Sequence, residues 1–170
     1  MIEADALGAE AAIRHRLGQH DQARKQVEHA LPLARDAGER YSEAQLLVGL
    51  ADAYRHLDQH EPARDHAEDA LRFARQYGYR MLEGVVLAVL AGCSLDRGDR
   101  DGARGPAQDA VDIQRETGYR LGEARALVLL GRASVDPARY WMAALDLFTD
   151  AGAAEADQVR SLLAAGGAAG

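Results

Sequence analysis

Apolar residues recur along this chain at intervals of three and four, the spacing that places them on one face of a helix. Short polar turns rich in glycine, aspartate and proline separate these stretches. The clearest example runs from Glu83 to Gly122, where two helical patterns are joined by a turn at residues 97–101. The pattern predicts an all-α protein built from helical hairpins.

The same helix, turn and helix return every forty residues. The residues that keep this register are Ala23, Ala63 and Ala103; Ala30, Ala70 and Ala110; Arg35, Arg75 and Arg115; Gly38, Gly78 and Gly118; and Leu7, Leu47, Leu87 and Leu127. A fixed period of this size is typical of stacked repeats, each of which buries its apolar face against the next. The sequence therefore predicts an α-solenoid.

The predicted repeat domain covers residues 1–165, with units at 3–42, 43–82, 83–122 and a shortened 123–152. A capping helix at 154–165 is expected to cover the last repeat, and residues 166–170 are predicted to be a disordered tail. Gly38, Gly78 and Gly118 follow helices, where glycine commonly forms a left-handed cap. Because Glu3 already keeps the repeat register, we interpret the chain as a fragment cut from a longer array. A natural, slightly polar first repeat is the alternative.

The residues within each unit resemble the tetratricopeptide repeat. The matching positions are Leu47, Leu50, Ala51, Tyr54, Ala63, Ala67 and Ala70 in the second unit, and Leu87, Leu90, Ala91, Ser94, Ala103, Ala107 and Ala110 in the third. That family usually has a period of about 34 residues, so the resemblance is to its forty-residue variant with longer helices. It implies a right-handed superhelix in which the first helix of each hairpin lines a concave groove.

The resemblance implies that this groove binds a protein or peptide partner. The predicted groove residues are Gln45, Val48, Asp52, Arg55, His56, Val85, Ala88, Gly92, Arg125, Val128 and Arg132, extended by Asp5, His15 and Arg16. Arginine is suited to bidentate capture of carboxylates, so we expect a ligand with an apolar centre and acidic flanks. Ordinary solvated charges are the alternative. The lysine–asparagine clamp of some family members is absent, since Val48 and Asp52 stand where it would begin.

The C-terminal part carries a narrower resemblance. Residues 139–150, 151–153 and 155–160 look like the C-terminal end of actinobacterial transcriptional regulators, namely antibiotic regulatory proteins and relatives with an ATPase domain before tetratricopeptide repeats. The resemblance implies a regulatory or sensor module of such a protein, with other domains of the same polypeptide as partners. The sequence contains no GxxxxGK[ST] phosphate loop and no DNA-binding domain. A free-standing scaffold or adaptor and a groove for a peptide or small-molecule effector are the alternatives.

Charge and composition make other classes of protein less favoured. The formal net charge of −7 is opposite to the basic footprint of a nucleic-acid binder, so no direct contact with nucleic acid is expected. No stretch reaches the roughly 18 apolar residues of a membrane span, so no membrane contact is expected. The single cysteine, Cys93, is predicted to be buried and fits a reducing, cytoplasmic setting.

Candidate chemistry is weak throughout the chain. His56 and His60 are four residues apart, but a predicted turn between them favours surface histidines over a metal site. Arg40 with Glu43, Arg80 with Glu83 and Arg120 with Glu123 recur at one inter-repeat turn, and they are predicted to be caps or ion pairs. We therefore expect no catalytic residue, no metal and no cofactor, and hence not an enzyme. A homodimer is left open.

Overall fold

The computed structural model describes residues 7–8, 10–11, 13–14 and 17–167. This part of the chain contains helices and no strand, so the protein is all-α, as predicted. The eight helices with defined bounds are α1 (His20–Asp36), α2 (Arg40–His56), α3 (His60–Tyr77), α4 (Arg80–Asp96), α5 (Arg100–Glu116), α6 (Arg120–Ala133), α7 (Ala138–Asp150) and α8 (Glu155–Gly167). Residues 7–8, 10–11 and 13–14 are also helical. Glu3, Asp5, His15 and Arg16 lie outside the described residues.

The first six of these helices begin at twenty-residue intervals, from His20 to Arg120. Each first helix of a hairpin starts three residues before the predicted unit boundary. Backbone hydrogen bonds explain the earlier start of α4, because the N–H of Glu83 donates to the carbonyl of Tyr79 at 2.9 Å. The equivalent bonds from Glu43 and Glu123 start α2 and α6 in the same way.

The predicted glycine turns are confirmed. Gly38, Gly78 and Gly118 have φ angles of 69°, 70° and 73°, in the left-handed region that glycine adopts without strain. At the turn within the second hairpin, Asp58 takes a φ of 56°, where the first and third hairpins have Gly18 and Gly98. The turns therefore keep the repeat geometry even where the glycine is replaced.

The helices form two layers. Each helix packs against its neighbours in sequence, and the first helices of successive hairpins, α2, α4 and α6, also pack against one another. The second helices α1, α3 and α5 show no comparable contact within the described part of the chain. Because the most closely spaced helices line the inner side of a curved stack, α2, α4 and α6 form the inner face of an α-solenoid.

Alanines make up much of the buried core. Those with no exposed surface include Ala30, Ala34, Ala44, Ala51, Ala63, Ala67, Ala70, Ala74, Ala103, Ala107 and Ala110. Small side chains let the helices approach closely, which explains how a core with few aromatic residues becomes well packed. Cys93 is also buried, as predicted, and burial raises the pKa of its thiol.

One buried polar side chain interrupts this alanine core. Gln114 on α5 is 1% exposed and its Nε2 donates to the carbonyl of Met81 at 3.1 Å. It lies against two glycines, since a β-carbon at Gly84 would be 2.7 Å from Nε2 and one at Gly122 would be 2.8 Å from Cδ. The two glycines therefore make the space that Gln114 occupies.

The chain's C-terminal segment differs from the prediction in one detail. The capping helix α8 continues through Gly167, two residues into the predicted tail. The ring of Trp141 lies 3.6 Å from the position of a β-carbon at Gly166, so the helix end packs against α7. Among the described helices, each is too short or too polar to cross a lipid bilayer.

Candidate functional site

The predicted groove residues lie on the three helices of the inner face. Gln45 to His56 are on α2, Val85 to Gly92 on α4, and Arg125 to Arg132 on α6. The exposed members are Gln45, His56, Arg125 and Arg132; the half-buried ones are Asp52, Arg55, Val85, Ala88 and Val128; and the buried ones are Val48 and Gly92. The inner face therefore combines a shallow apolar middle with polar groups towards its ends.

The Arg55 side chain joins α2 to α4. Its Nε donates to Oδ1 of Asp52 at 3.0 Å and its Nη1 to Oδ2 of Asp96 at 2.9 Å. Its aliphatic stem lies over Gly92, where a β-carbon would be 3.2 Å from Cδ. Burial alone would lower the pKa of Arg55, but the two carboxylates outweigh it and raise the pKa. Arg55 is thus a charged link between helices and is already paired with carboxylates.

The histidines near this link are stacked rather than grouped around a metal. The ring of His56 lies 4.6 Å from that of His20, with an angle of 12° between the planes. Its Nε2 is 3.6 Å from Oδ1 of Asp52. His60 lies across the turn at the start of α3. No group of His, Cys, Asp and Glu among the described residues is arranged to hold a metal ion.

The two predicted groove arginines on α6 differ in their partners. The Nη2 of Arg125 donates to Oε1 of Glu155 at 2.7 Å, which ties α6 to the start of the capping helix. Arg132 is exposed and forms no ion pair with any described residue. Of the predicted groove arginines that the structure describes, only Arg132 is therefore available to an external carboxylate without breaking an existing bond.

Buried glutamates join consecutive hairpins at the turns that lead from one hairpin to the next. The side chain of Glu83 is 8% exposed, and it accepts hydrogen bonds from Nε of Arg75 at 2.8 Å and from Nη1 of Arg80 at 2.6 Å. Arg80 also donates to Glu116 at 2.8 Å. Burial alone would raise the pKa of Glu83, but the hydrogen bonds from both arginines outweigh it and lower the pKa.

Glu43 repeats the arrangement with Arg35 at 2.8 Å and Arg40 at 3.0 Å, so the first two predicted pairs are confirmed. The third prediction, Arg120 with Glu123, is wrong as a direct ion pair. Arg120 donates to Asp150 at 2.8 Å, a contact that corresponds to that of Arg80 with Glu116, and it does not also bond Glu123 as Arg80 bonds Glu83. The partner of Glu123 is Arg115 at 2.9 Å. The sequence signal for this pairing is the forty-residue register, which Arg35, Arg75 and Arg115 share with the glutamates.

We expect Glu83→Gln to lower the free energy of unfolding by about 1 kcal/mol, because it removes a buried carboxylate that accepts two charge-assisted hydrogen bonds. The arginines remain half-exposed, which limits the loss. Urea unfolding followed by circular dichroism measures the change. Glu116→Gln is the matched control and should alter stability by less than about 0.5 kcal/mol, since Glu116 is largely exposed.

The effect of Glu83→Gln is expected to depend on pH. A carboxyl whose pKa is lowered on folding stabilises the fold above its unfolded pKa, and the gain is lost as pH falls through the folded pKa. The ordinary glutamate pKa is about 4.5, so the difference between wild type and variant should be constant above about pH 5.5 and should shrink below pH 4.5. A difference that grows towards low pH would contradict the role given to Glu83.

Two pockets differ in how their charges are balanced. One, of about 210 Å³, lies among α1, α2 and α3, and its arginines Arg35 and Arg72 are paired with Glu43 and Asp69. The other, of about 420 Å³, lies where the α4–α5 turn meets the α6–α7 turn. We call it the turn-edge pocket, and its main lining residues are Leu95, Arg100, Arg132, Val135, Trp141 and Leu162.

Trp141 is held in place at the turn-edge pocket by α6. Its Nε1 donates to the carbonyl of Val128 at 3.2 Å. Its ring covers Gly131, where a β-carbon would be 2.4 Å from Nε1. Because Gly131 leaves room for the indole, the ring lies directly on the helix backbone and forms one wall of the turn-edge pocket.

Comparison with known proteins supports the fold. The profile of the family described as Tetratricopeptide repeat matches residues 3–76. No curated protein sequence matches the chain. The crystal structure of the apo form of RapI has a TM-score of 0.69 and 15% identity, and the alignment covers 96% of this chain and 47% of that one. The structure of BtubC (BKLC) from P. vanneervenii has a TM-score of 0.63 and 20% identity, covering 94% and 64%.

At these identities the likeness to RapI and BtubC shows the fold alone. The chain is an α-solenoid whose first part is similar in sequence to tetratricopeptide repeats. It spans about half the length of the RapI chain and somewhat less than two thirds of the BtubC chain.

Proposed function

We propose that this chain is an interaction module whose inner face, formed by α2, α4 and α6, binds a protein or peptide. The observation that carries the proposal is the direct packing of these three helices side by side, which aligns Gln45, Val85 and Arg125 from successive hairpins. A stack of repeats presents an extended surface of this kind to a partner. The similarity to tetratricopeptide repeats supports the same function.

The inner face favours a partner with an apolar centre. Val85, Ala88 and Val128 are half-buried, so they still offer apolar surface between the polar ends of the face. Arg55 and Arg125 already bind carboxylates of the chain, and acidic groups of a partner would have to compete with them. We therefore assign most of the binding energy to apolar contact and a smaller part to charge.

We further propose that the module serves as the regulatory or sensor part of a cytoplasmic bacterial transcriptional regulator. The resemblance of residues 139–160 to such regulators supports this setting. In it, the inner face contacts another domain of the same polypeptide. A free-standing adaptor would instead contact a separate protein, so the two settings differ in whether one or two polypeptides are joined at the inner face.

Photo-crosslinking in the source cell tests the inner face. A benzophenone amino acid at Gln45, which is exposed on α2, is expected to form crosslinks to a defined segment of a partner. The same amino acid at Arg72, which is exposed on the outer helix α3, is the matched control and should form few. Mass spectrometry of the crosslinked peptides then shows whether the partner segment is in the same polypeptide or in another. Equal labelling at both positions would overturn the proposal.

The contribution of charge on the inner face can be separated from stability by an ion-pair exchange. Arg125→Glu alone removes the bond to Glu155, so it weakens the capping helix as well as the inner face. Arg125→Glu with Glu155→Arg restores an ion pair and still reverses the charge on α6. We expect this double variant to keep wild-type helicity and to lose part of the crosslinking from Gln45. Undiminished crosslinking would show that the Arg125 charge is not used.

A further inference from the structure

Two unpaired arginines meet at the turn-edge pocket. Among the arginines that the structure describes, each forms an ion pair with a carboxylate except Arg100, Arg132 and Arg139. Two of these three, Arg100 and Arg132, line the same pocket. In a chain with a formal net charge of −7, this concentration of unbalanced positive charge is unusual. It attracts an anionic group from outside the chain.

The rest of the turn-edge pocket is apolar. Val135 is 97% exposed, and Leu95, Trp141 and Leu162 contribute half-buried apolar surface beside it. A fully exposed valine next to a tryptophan is the kind of apolar surface that marks an interaction site. The pocket therefore combines carboxylate-binding groups with a site for an apolar side chain.

We propose that the turn-edge pocket binds a peptide segment of a partner protein in which an acidic residue stands next to an aromatic or aliphatic residue. The carboxylate lies between Arg100 and Arg132, whose guanidinium groups are suited to bind it bidentately. The neighbouring apolar side chain packs against Trp141 and Val135. A volume of about 420 Å³ accommodates a few side chains of such a segment.

The charge of the chain argues against a nucleic acid or another polyanion as the occupant. Outside the pocket, each described arginine except Arg139 is paired with a carboxylate and the net charge of the chain is negative, so an extended chain of phosphates would be repelled. An acidic peptide with few charges gains the attraction of the two arginines without this cost. The apolar wall formed by Trp141 and Val135 would also gain no favourable contact with a phosphate, which needs charged or hydrogen-bonding partners.

The proposal rests on the proposed function only in that both make the solenoid an interaction module. The turn-edge pocket lies at the turns of the third and fourth hairpins, whereas the crosslinking test uses Gln45 on α2. An absence of crosslinks from Gln45 would contradict partner binding at the inner face but not peptide binding at the turn-edge pocket. An absence of peptide binding at the pocket would contradict only the second proposal. The two outcomes are therefore distinguishable.

Tryptophan fluorescence offers a direct test, because Trp141 is the single tryptophan of the chain. The probes are capped hexapeptides in which two acidic residues flank a phenylalanine or a leucine. Titration is expected to shift the emission of Trp141 and to saturate, with weaker binding as salt is raised. Peptides with asparagine and glutamine in place of the acidic residues should bind at least tenfold more weakly.

Arginine variants identify the site of binding. Arg100→Gln and Arg132→Gln are each expected to weaken binding by roughly five- to tenfold, and the double variant should abolish the fluorescence change. Arg139→Gln is the matched control. Arg139 also forms no ion pair with a carboxylate, but it lies outside the pocket and donates to the hydroxyl of Tyr140. The Arg139→Gln variant should therefore bind the peptide like wild type. Equal binding of acidic and amide peptides, equal weakening by Arg139→Gln, or no binding at millimolar peptide would each overturn the proposal.

Discussion

Gly122→Leu is expected to lower the free energy of unfolding by about 3 kcal/mol or more, which is at the upper end for overpacking a core. Even a β-carbon at this position would lie 2.5 Å from Cδ1 of Tyr119 and 2.8 Å from Cδ of Gln114. Gln114 is buried and cannot turn away without losing its bond to the carbonyl of Met81. The added side chain must therefore displace α5 or α6.

The same leucine is expected to be tolerated when its surroundings are changed with it. The second forty-residue unit carries Ala44, Ala74 and Leu82 at the positions where the third carries Gly84, Gln114 and Gly122. All three members of the second set are buried in one core cluster. The triple variant Gly84→Ala, Gln114→Ala and Gly122→Leu copies that set, so it removes the glutamine side chain that opposes the leucine. Because the three changes together still add side-chain volume, we expect the variant to recover at least half of the stability that Gly122→Leu loses, and not all of it.

Urea unfolding of the single and triple variants measures this rescue. Gly105→Ala serves as the control for the helical preference of a non-glycine residue, because a β-carbon there meets nothing within 4 Å. It should stabilise the protein by about 0.5–1 kcal/mol. Two results would show that Gln114 and its glycines do not act as one unit. One is a loss of stability in Gly122→Leu that is no larger than the change caused by Gly105→Ala. The other is a triple variant that is no more stable than Gly122→Leu.

The overall architecture could be predicted because the forty-residue register repeats the same information several times. Each of Gly38, Gly78 and Gly118 marks a turn, and each was found with the backbone conformation that the pattern predicts. A solenoid needs only the contacts between neighbouring helices, and these contacts follow from the positions of the alanines within each unit. The inner position of the first helices was implied by the resemblance to tetratricopeptide repeats.

The exceptions to the register could not be interpreted from the sequence alone. Gln114, Gly84 and Gly122 each depart from the second unit, but only the structure shows that the departures touch one another. Arg120 donates to Asp150 and not to the predicted Glu123, whereas Arg80 donates to both Glu83 and Glu116. In both cases the contact joins residues about thirty positions apart, across the packing of two hairpins.

In the candidate site, too, the sequence predicted the positions of residues within the repeat but not their contacts across hairpins. The spacing of the repeat placed the predicted groove residues on the inner helices, but it could not show that Arg55 and Arg125 are already bonded to carboxylates of the chain. The turn-edge pocket was missed because its arginines come from different hairpins. The sequence pattern places Arg100 in a turn and predicts Arg132 to be a groove residue, and only the packing of the two turns brings them together.

Gly131→Ala is expected to lower the free energy of unfolding by about 2 kcal/mol, although alanine favours a helix over glycine by up to about 1 kcal/mol. The new β-carbon would lie 2.4 Å from Nε1 and 2.6 Å from Cδ1 of Trp141. The indole must leave the helix, so its bond to the carbonyl of Val128 and its packing on α6 are both lost. Thermal unfolding with a concurrent change in tryptophan emission measures both consequences.

Removing the indole is expected to reverse the sign of this effect. In a Trp141→Ala background the three atoms nearest to the new methyl group are removed, and Gly131→Ala should then stabilise the protein by about 0.5 kcal/mol through helical preference. The double-mutant cycle isolates the clash, because each single variant is compared in the presence and absence of its neighbour. If Gly131→Ala changes stability equally in both backgrounds, the indole does not lie on Gly131. The wall of the turn-edge pocket would then have to be assigned to other residues.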